Sequence, residues 1–437
     1  MAARLRATGF YLWFTTAIIV LFILCPVIAA TPPENQVIPL GAPIHPMGPV
    51  VSGTNGTSAV ISVVADYTCK PDVRYANDSY FSVSQMYDHK ISGSHLGTDH
   101  AIQINDLEPA TKYHYNMSGC GVRETDRTFS TFPRSGSCTF IVYGDTREQA
   151  PIYNQTERHK LVADRIAQEK EVMFVVNSGD LVSDSSDPAE WSRFFIATDK
   201  LRSMTTYRAV PGNHDTNRSL FRQFFLTDNT TFFDCGNTRI GLLDSTDMSV
   251  MTLEDQAEWL RSGFGPYEGA KVVIMHYPVY SSDENHYGGW QDIQNTLVPV
   301  FQESNIHLVF SSHVHVFEQV ERDGITYITE ARGGAPAYPL NSTRTPGSAR
   351  VYENTLGYSR VTVDPGAGEI SVDVIRVADV SSDLRNVTKI YPGDTVDARI
   401  RIPLDKSGNH FPDISQLICC LKDMEDEQCR VKTRLLK

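Results

Sequence analysis

Six residues that can bind metal ions follow short apolar runs in the middle of the chain. They are Asp145, Asp180, Asn213, His276, His313 and His315. Carboxylate and amide oxygens combined with imidazole nitrogens suit a pair of first-row divalent or trivalent ions better than Ca²⁺ or Mg²⁺ alone. Two such ions need a shared anionic ligand, and we expect Asp180 to bridge them. A metal pair of this kind converts a bound water to hydroxide and neutralises a phosphoryl group, so these residue types predict phosphoester hydrolysis.

Each of these residues also has an ordinary structural explanation. A single histidine at the end of a strand is usually a hydrogen-bonded structural residue, and Asp145 could cap the helix that follows it. Asn213-His214-Asp215 could be a plain turn, because Asn and Asp favour turns. Five such turns in one order would be a coincidence, so the joint pattern favours a functional site.

The elements that must position these residues alternate between short strands and helices after residue 135. Strands are predicted at 140–143, 172–176, 208–210, 239–244, 272–275 and 307–310, and helices at 153–169, 188–201, 253–264 and 290–303. Continuous apolar strands with intervening helices indicate an α/β core that is covered on both faces. Ligands of such sheets gather at the carboxyl ends of the strands, where all six candidates lie. We place this α/β domain at 135–378 and a β-like extension at 379–437.

The segment at 31–134 has the pattern of an all-β domain. Strand candidates at 59–64 and 112–117 are separated from their neighbours by clusters of Gly and Asn. Residues 101–113 resemble the late strands of a fibronectin type III domain, in which a Leu-X-Pro-X-Thr-X-Tyr turn links two strands. We therefore expect an N-terminal β-sandwich that serves as a spacer or a lid.

The first thirty residues have the composition of an export signal. Arg4 and Arg6 precede an uncharged run at 10–30, which ends in small residues suited to cleavage. The run is close to membrane-spanning length, so an uncleaved signal anchor with membrane anchoring is the alternative to cleavage. In either case we expect the rest of the protein to be secreted or to lie at the extracellular cell surface.

Sequons, cysteines and charge are consistent with export. Eight Asn-X-Ser/Thr sequons, at Asn55, Asn77, Asn116, Asn154, Asn217, Asn229, Asn341 and Asn386, predict a glycoprotein. We expect Cys69 to pair with Cys120 and expect Cys138 and Cys235 to be buried thiols. A further cluster consists of Cys419, Cys420 and Cys429, where one bridge could hold the tail. The formal net charge of −13 argues against nucleic-acid binding.

Five sequence blocks carry a resemblance to a known family. In chain order they are Gly144-Asp145, Gly179-Asp180, Gly212-Asn213-His214-Asp215, Val273-Ile274-Met275-His276 and Ser312-His313-Val314-His315. They resemble the ordered blocks of the calcineurin-like metallophosphoesterases and, within that superfamily, those of the purple acid phosphatases. The resemblance spans about 137–335 and implies a two-sheet α/β metallophosphoesterase domain behind the β-sandwich.

The resemblance also implies roles for individual residues. Asp145, Asp180 and His315 would hold one metal ion, and Asp180, Asn213, His276 and His313 would hold the other. His214 would contact the phosphate or protonate the leaving oxygen, with Asp215 orienting it. His286 follows His276 at the distance where the family places a substrate-binding histidine, and a surface-loop position is the alternative.

Two positions depart from the family's pattern. Phosphodiesterases of the superfamily often carry His two residues after the first Asp, where this chain has Arg147. We expect the Arg147 side chain at the surface, with contact to a phosphate as the alternative. Purple acid phosphatases carry Tyr three residues after the bridging Asp, where this chain has Ser183. Without that tyrosinate we expect a colourless site, in which the two ions could be Fe, Zn or Mn.

These observations predict an exported enzyme that hydrolyses phosphate monoesters with a metal-bound hydroxide at a dinuclear site. A phosphodiesterase or nucleotidase of the same fold is one alternative. The other alternative is a catalytically inert cell-surface glycoprotein whose β-domain binds a partner. The complete set of six ligands favours the enzyme, because a decayed site usually loses ligands.

Overall fold

The computed structural model describes residues 47–153, 155–228 and 230–405. The predicted signal at 1–30, the C-terminal cysteine cluster and the sequon residues Asn154 and Asn229 lie outside the described residues. Within the described ranges, no helix combines the length and the apolar character needed to cross a membrane.

Residues 47–130 form a β-sandwich of two sheets. Its elements are β1 (Met47–Val51), β2 (Ala59–Cys69), β3 (Asp72–Asn77), α1 (Asp78–Ser84), β4 (His89–Ser92), β5 (Gly97–Ile104), β6 (Lys112–Ser118) and β7 (Arg127–Ser130). One sheet has the strand order β1-β2-β5 and the other β4-β3-β6-β7. Alternate side chains such as Ile61, Ile102 and Tyr115 form the core between them. The strands predicted at 59–64 and 112–117 are confirmed, and the likeness to fibronectin type III domains stays a prediction.

The α/β part that follows contains two further sheets of seven strands each. In chain order its elements are β8 (Cys138–Tyr143), α2 (Arg158–Ile166), β9 (Phe174–Asn177), α3 (Pro188–Arg202), β10 (Thr206–Ala209), α4 (Arg218–Phe225), β11 (Thr230–Cys235), β12 (Thr238–Leu243), α5 (Leu253–Phe264), β13 (Ala270–Ile274), α6 (Gln291–Glu303), β14 (Leu308–Ser311), β15 (Phe317–Arg322), β16 (Ile325–Glu330), β17 (Ser348–Tyr352), β18 (Thr355–Asp364), β19 (Glu369–Val380), β20 (Val387–Ile390) and β21 (Val396–Pro403).

The two sheets pack face to face, with helices on their outer faces. One sheet has the order β10-β9-β8-β18-β19-β20, with β21 also paired to β19, and the other the order β11-β12-β13-β14-β16-β15-β17. Phe140 and Val176 of the first sheet pack against Ile240 and Ile274 of the second in one apolar layer. Helices α2, α3 and α4 cover the first sheet, and α5 and α6 cover the second. The strands read as continuous apolar runs because both of their faces are buried. The predicted fold class is confirmed.

Helix boundaries follow local capping signals where these exist. Helix α3 begins at Pro188, and the side chain of Asp187 accepts a hydrogen bond from the amide of Ala189 at 2.8 Å. Helix α2 is shorter than predicted, because Gln149 and Tyr153 pair in an isolated bridge and the helix starts only at Arg158. Strand β19 crosses the predicted boundary at 378 and pairs with β20 and β21, so the described part of the extension belongs to the first sheet.

The described residues contain two disulfide bonds. Cys69 and Cys120 are joined within the sandwich, as predicted. The expectation that Cys138 and Cys235 are buried thiols is wrong, because they form a disulfide. β8 begins at Cys138 and β11 ends at Cys235, and the packing of the two sheets brings their Cα atoms to 5.7 Å, which is within disulfide reach.

Candidate metal centre

All six predicted ligands lie at the carboxyl ends of strands. Asp145 and Asp180 follow β8 and β9, and Asn213 follows β10. His276 follows β13, and His313 and His315 follow β14. The first sheet therefore supplies the oxygen donors and the second sheet supplies the imidazoles. The site is built across the contact between the sheets.

The six side chains form two groups that share Asp180. Ligand atoms of Asp145, Asp180 and His315 lie within 4.8 Å of one another, and so do those of Asp180, His276 and His313. Asn213 joins the second group, because its Oδ1 lies 3.0 Å from His276 Nε2 and 2.8 Å from His313 Nδ1. The structure thus brings all six predicted residues together, with one carboxylate between two clusters.

The donor atoms have the chemistry of a metal site. Asp145 Oδ1 and His315 Nε2 are 3.1 Å apart and buried. Neither atom has a hydrogen-bond partner with suitable geometry among the described residues. A buried polar atom without a partner is costly, and a bound ion would satisfy both atoms. Carboxylate, amide and imidazole donors together fit Fe, Zn or Mn.

Backbone carbonyls fix which nitrogen of two histidines faces the centre. His276 Nδ1 donates to the carbonyl oxygen of Ser178 at 3.0 Å, and His315 Nδ1 donates to that of Pro336 at 2.7 Å. A carbonyl oxygen can only accept, so Nδ1 carries the proton and Nε2 presents its lone pair to the centre. Such partners orient imidazole ligands and fix their tautomer.

Burial and neighbouring charges keep the donor atoms of His313 and Asp145 free of protons. Burial, followed by the nearby His276, lowers the pKa of His313 to about 2. Burial acts to raise the pKa of Asp145, but the surrounding imidazoles, His315 first, outweigh burial and lower it. Metal ligands bind in their deprotonated forms, so both residues are already in the form that binds a cation.

Four of the six residues have strained backbones. Asp145 and Asp180 each have φ of 54°, His313 has 74° and His315 has 46°, all in the left-handed region that favours glycine. Each such residue costs on the order of 1–3 kcal/mol, and such residues concentrate at functional sites. The amide of Asp145 donates to the carbonyl oxygen of Gly179 at 2.9 Å, which holds the first two turns together.

His214 faces the shared carboxylate. Its Nδ1 donates to the carbonyl oxygen of Ser183 at 2.8 Å, and its Nε2 lies 3.9 Å from Asp180 Oδ2. The side chain is 34% exposed, so Nε2 is open to a ligand above the centre.

The prediction that Asp215 orients His214 is wrong. The carboxylate of Asp215 points inward, where it accepts hydrogen bonds from the amide of Leu181 at 3.2 Å and from that of Gly212 at 2.8 Å. Burial, followed by the charge of Asp180, raises the pKa of Asp215. Asp215 therefore ties two ligand-bearing turns together.

His286 lies beside the second cluster. Its ring centroid is 5.2 Å from that of His313. Asp283 Oδ1 lies 2.7 Å from His286 Nδ1, and the imidazole stacks on Trp290 at 4.9 Å. Trp290 in turn stacks on Tyr277 at 4.7 Å. These contacts hold His286 at the site.

The expectation that Arg147 lies at the surface is wrong. Its side chain is 13% exposed, and its Nε lies 3.8 Å from Asp180 Oδ2. Its Nη2 donates to the hydroxyl of Tyr338 at 3.3 Å. Ser183, the other departure, is turned away from the centre, since its hydroxyl donates to the carbonyl oxygen of Glu148 at 2.6 Å.

Sequence reasoning missed Tyr338, whose ring lies 4.1 Å from that of His315. It stands between Pro336-Ala337 and Pro339 in the segment that follows β16. The available signal in the sequence is an aromatic residue that follows closely on the Gly333-Gly334 pair after this strand.

Comparisons with known proteins agree with this geometry. Residues 138–317 match the family model of the calcineurin-like phosphoesterases. Purple acid phosphatase 21 of Arabidopsis thaliana is 24% identical over 333 residues, which cover 64% of this chain and 70% of the relative. Purple acid phosphatase 22 of the same plant is 24% identical over 303 residues, covering 62% and 67%.

Solved structures show the same fold. The purple acid phosphatase PPD1 from yellow lupin (Lupinus luteus) seeds aligns with a TM-score of 0.61 at 14% identity, over 80% of this chain and 74% of that one. PhoD aligns with a TM-score of 0.59 at 10% identity, over 80% and 93%. Together with the clustered ligands, these matches confirm the predicted metallophosphoesterase, an enzyme of the phosphatase type with two metal ions. The chain therefore carries a calcineurin-like metallophosphoesterase domain and is a relative of the purple acid phosphatases.

Proposed function

We propose that this protein hydrolyses phosphate monoesters at a dinuclear metal centre. One ion would be held by Asp145, Asp180 and His315, and the other by Asp180, Asn213, His276 and His313. The observation that carries the proposal is the pair of donor clusters that share Asp180. Two bound ions supply positive charge to phosphoryl oxygens and lower the pKa of a bound water.

The chain's own residues would position the substrate and move a proton. His214 Nδ1 is held by Ser183, so a proton on Nε2 is directed at the space beside Asp180 Oδ2. From there it can reach a phosphoryl oxygen or the leaving oxygen. His286, held by Asp283 and Trp290, would contact the substrate on the side of His313.

An extracellular location is part of the proposal. Two disulfide bonds lie within the described ranges, and disulfides persist mainly in oxidising compartments. The sequon residues Asn55 and Asn386 are exposed, as glycosylation requires. Both observations support a secreted or cell-surface glycoprotein.

The ligand assignment predicts different outcomes for Asp180→Ala and His214→Ala. Asp180→Ala should abolish turnover of an aryl phosphate and lower the metal content, because both clusters lose their shared ligand. His214→Ala should keep both ions and lower kcat by about 10²–10⁴-fold, the usual contribution of a general acid. Elemental analysis and steady-state kinetics on the same preparations measure both quantities.

Asp66→Ala is the matched control, because Asp66 is an exposed carboxylate in the sandwich. It should keep both the ions and the activity. Full activity of His214→Ala would remove the role given to His214. The proposal would be wrong if the wild-type protein, reconstituted with Fe, Zn or Mn, hydrolysed no phosphoester. A higher kcat/KM for a diester than for a monoester would favour the phosphodiesterase alternative.

A further inference from the structure

Two donor side chains converge on one oxygen of the shared carboxylate. Arg147 Nε lies 3.8 Å and His214 Nε2 lies 3.9 Å from Asp180 Oδ2. The other oxygen, Oδ1, accepts a hydrogen bond from the amide of His214 at 3.0 Å and faces His276 at 3.4 Å. The Oδ2 side of Asp180 is therefore flanked by a guanidinium and an imidazole, which are both groups that bind phosphate.

We propose that Arg147, positioned by Tyr338, binds the phosphoryl group of the substrate and selects the dianionic group of a monoester over the monoanionic group of a diester. The inference rests on the function proposed above and assigns a residue to its substrate preference.

The guanidinium of Arg147 has a hydrogen-bond donor, Nε, that has no acceptor within the described part of the chain. A distance of 3.8 Å to Asp180 is too long for a hydrogen bond. Its Nε is buried and has no hydrogen-bond partner within the described part of the chain. A buried N–H without a partner is costly, and a planar guanidinium matches the oxygens of a phosphate in two-point contact. A phosphoryl group beside Asp180 would supply that missing acceptor.

Hydrogen bonds fix both the backbone and the guanidinium of Arg147. Its backbone amide donates to the carbonyl oxygen of Asp180 at 3.1 Å, so its Cα is held against the turn after β9. Its Nη2 donates to the Tyr338 hydroxyl at 3.3 Å. The Tyr338 ring packs on His315 at 4.1 Å, which places the phenol against a candidate ligand. Tyr338 is thus a positioning residue that keeps the guanidinium next to the centre.

Charge and shape together favour a monoester. The attraction of a fixed positive charge doubles when the bound group carries two negative charges instead of one. A diester also carries a second substituent in place of one terminal oxygen, so the two-point contact with Arg147 loses an acceptor. Both effects favour the dianionic terminal phosphoryl group of a monoester over the bridging phosphoryl group of a diester.

The test measures phosphate binding and ester preference in Arg147→Gln, Arg147→Lys and Tyr338→Phe. Inorganic phosphate is titrated calorimetrically into metal-loaded protein, and kcat/KM is measured for p-nitrophenyl phosphate and bis(p-nitrophenyl) phosphate. Arg147→Gln should weaken phosphate binding by about ten- to a hundredfold, as expected for a charged hydrogen bond, and should lower the monoester-to-diester ratio similarly. The phosphate affinity and the ester ratio of Arg147→Lys should lie between those of the wild type and Arg147→Gln, because lysine keeps the charge but lacks the planar guanidinium. Tyr338→Phe should weaken binding severalfold.

Arg239→Gln is the control, since this arginine pairs with Asp234 and lies near the start of β12, away from the ligand-bearing strand ends. It should match the wild type in phosphate affinity and ester ratio, and all variants should keep two ions. Unchanged phosphate affinity in Arg147→Gln would overturn the proposal, as would an equal loss for both esters. A visible band of the iron-loaded protein that disappears in Tyr338→Phe would also overturn it, because Tyr338 would then be a metal ligand.

The outcomes also separate this inference from the proposed function. If the metal-loaded wild type hydrolysed neither ester, the proposed function would fall. The phosphate titration would still decide whether Arg147 binds a phosphoryl group.

Discussion

Gly212 is a residue of the metal centre that tolerates no side chain. A Cβ at this position would lie well inside 3.0 Å of both Oδ1 and the amide nitrogen of Asp180. Gly212→Ala should therefore displace the shared carboxylate. A misplacement of about 1 Å can cost roughly a hundredfold in rate, so kcat/KM for an aryl phosphate should fall by at least that factor. Elemental analysis of the purified variant should show fewer than two ions.

Gly393→Ala is the matched control for this change. Apart from Gly393 itself and its two chain neighbours, no atom of the described chain lies within 4 Å of a Cβ built at Gly393, and its φ is not in the left-handed region. The control should keep its ions and its activity. Gly212→Ala with two ions and wild-type kinetics would show that Asp180 can move without consequence.

Single residues differ in how far their sequence context reveals them. The six ligands were predicted because each follows a strand-like run, and strand ends share an edge. The direction of the Arg147 side chain was not predicted, because it depends on the contact of the Arg147 backbone with Asp180 and on the hydrogen bond to Tyr338. Asp215 was assigned the wrong partner because the sequence does not show which way a carboxylate in a turn points.

Helix α2 carries a buried histidine that predicts how stability depends on pH. His159 packs against β8, and its Nε2 lies 3.1 Å from the hydroxyl of Tyr143. Burial lowers the pKa of His159 from 6.5 to about 3. Between these values the unfolded chain binds a proton at this residue and the folded chain does not. Stability is therefore complete above about pH 6.5 and is lost as the pH falls, by up to about 1.4 kcal/mol per pH unit.

His159→Gln removes this proton and should flatten the acid limb of the stability curve. Between pH 7 and pH 5 the wild type should lose about 2 kcal/mol more than the variant. Urea denaturation of both proteins at the two pH values measures the difference. Comparing losses cancels the contribution of every other titrating group that the proteins share. Equal losses in the two proteins would show that folding does not lower the pKa of His159.

The sequence revealed central elements better than peripheral ones. Strands β8, β9, β13 and β14 were predicted because both faces are buried, which gives uninterrupted apolar runs. Strand β20, whose four residues are all exposed, was not predicted individually within the β-like extension. Helix α4 was missed as well. Its buried residues Phe221, Phe224 and Phe225 recur at helical spacing, but eight residues are fewer than the window over which such spacing is assessed. Asn217 caps the helix by accepting from the amide of Leu220 at 3.1 Å.

The assembly of two sheets into one site is a property of the whole domain. Oxygen donors come from one sheet and imidazoles from the other, so the centre exists only while the sheets are packed together. Nothing in the sequence near Cys138 or Cys235 indicates that they meet. Their pairing follows from the packing of the two sheets, which brings together residues 97 positions apart.

The Cys138–Cys235 disulfide should therefore contribute substantially to stability. Closing a loop of this length restricts the unfolded chain, and the loss of such a bond costs about 2–5 kcal/mol. We expect the double variant Cys138→Ala, Cys235→Ala to lower the free energy of unfolding in urea by that amount. The bond lies at the start of β8, whereas Asp145 follows its end, so both metal ions should be retained. The double variant Cys69→Ala, Cys120→Ala is the control for the loss of a disulfide bond as such, because it removes a bond that lies within the sandwich and not between the two sheets of the α/β part. A Cys138 and Cys235 variant as stable as the wild type would show that sheet packing alone holds the two halves of the site together.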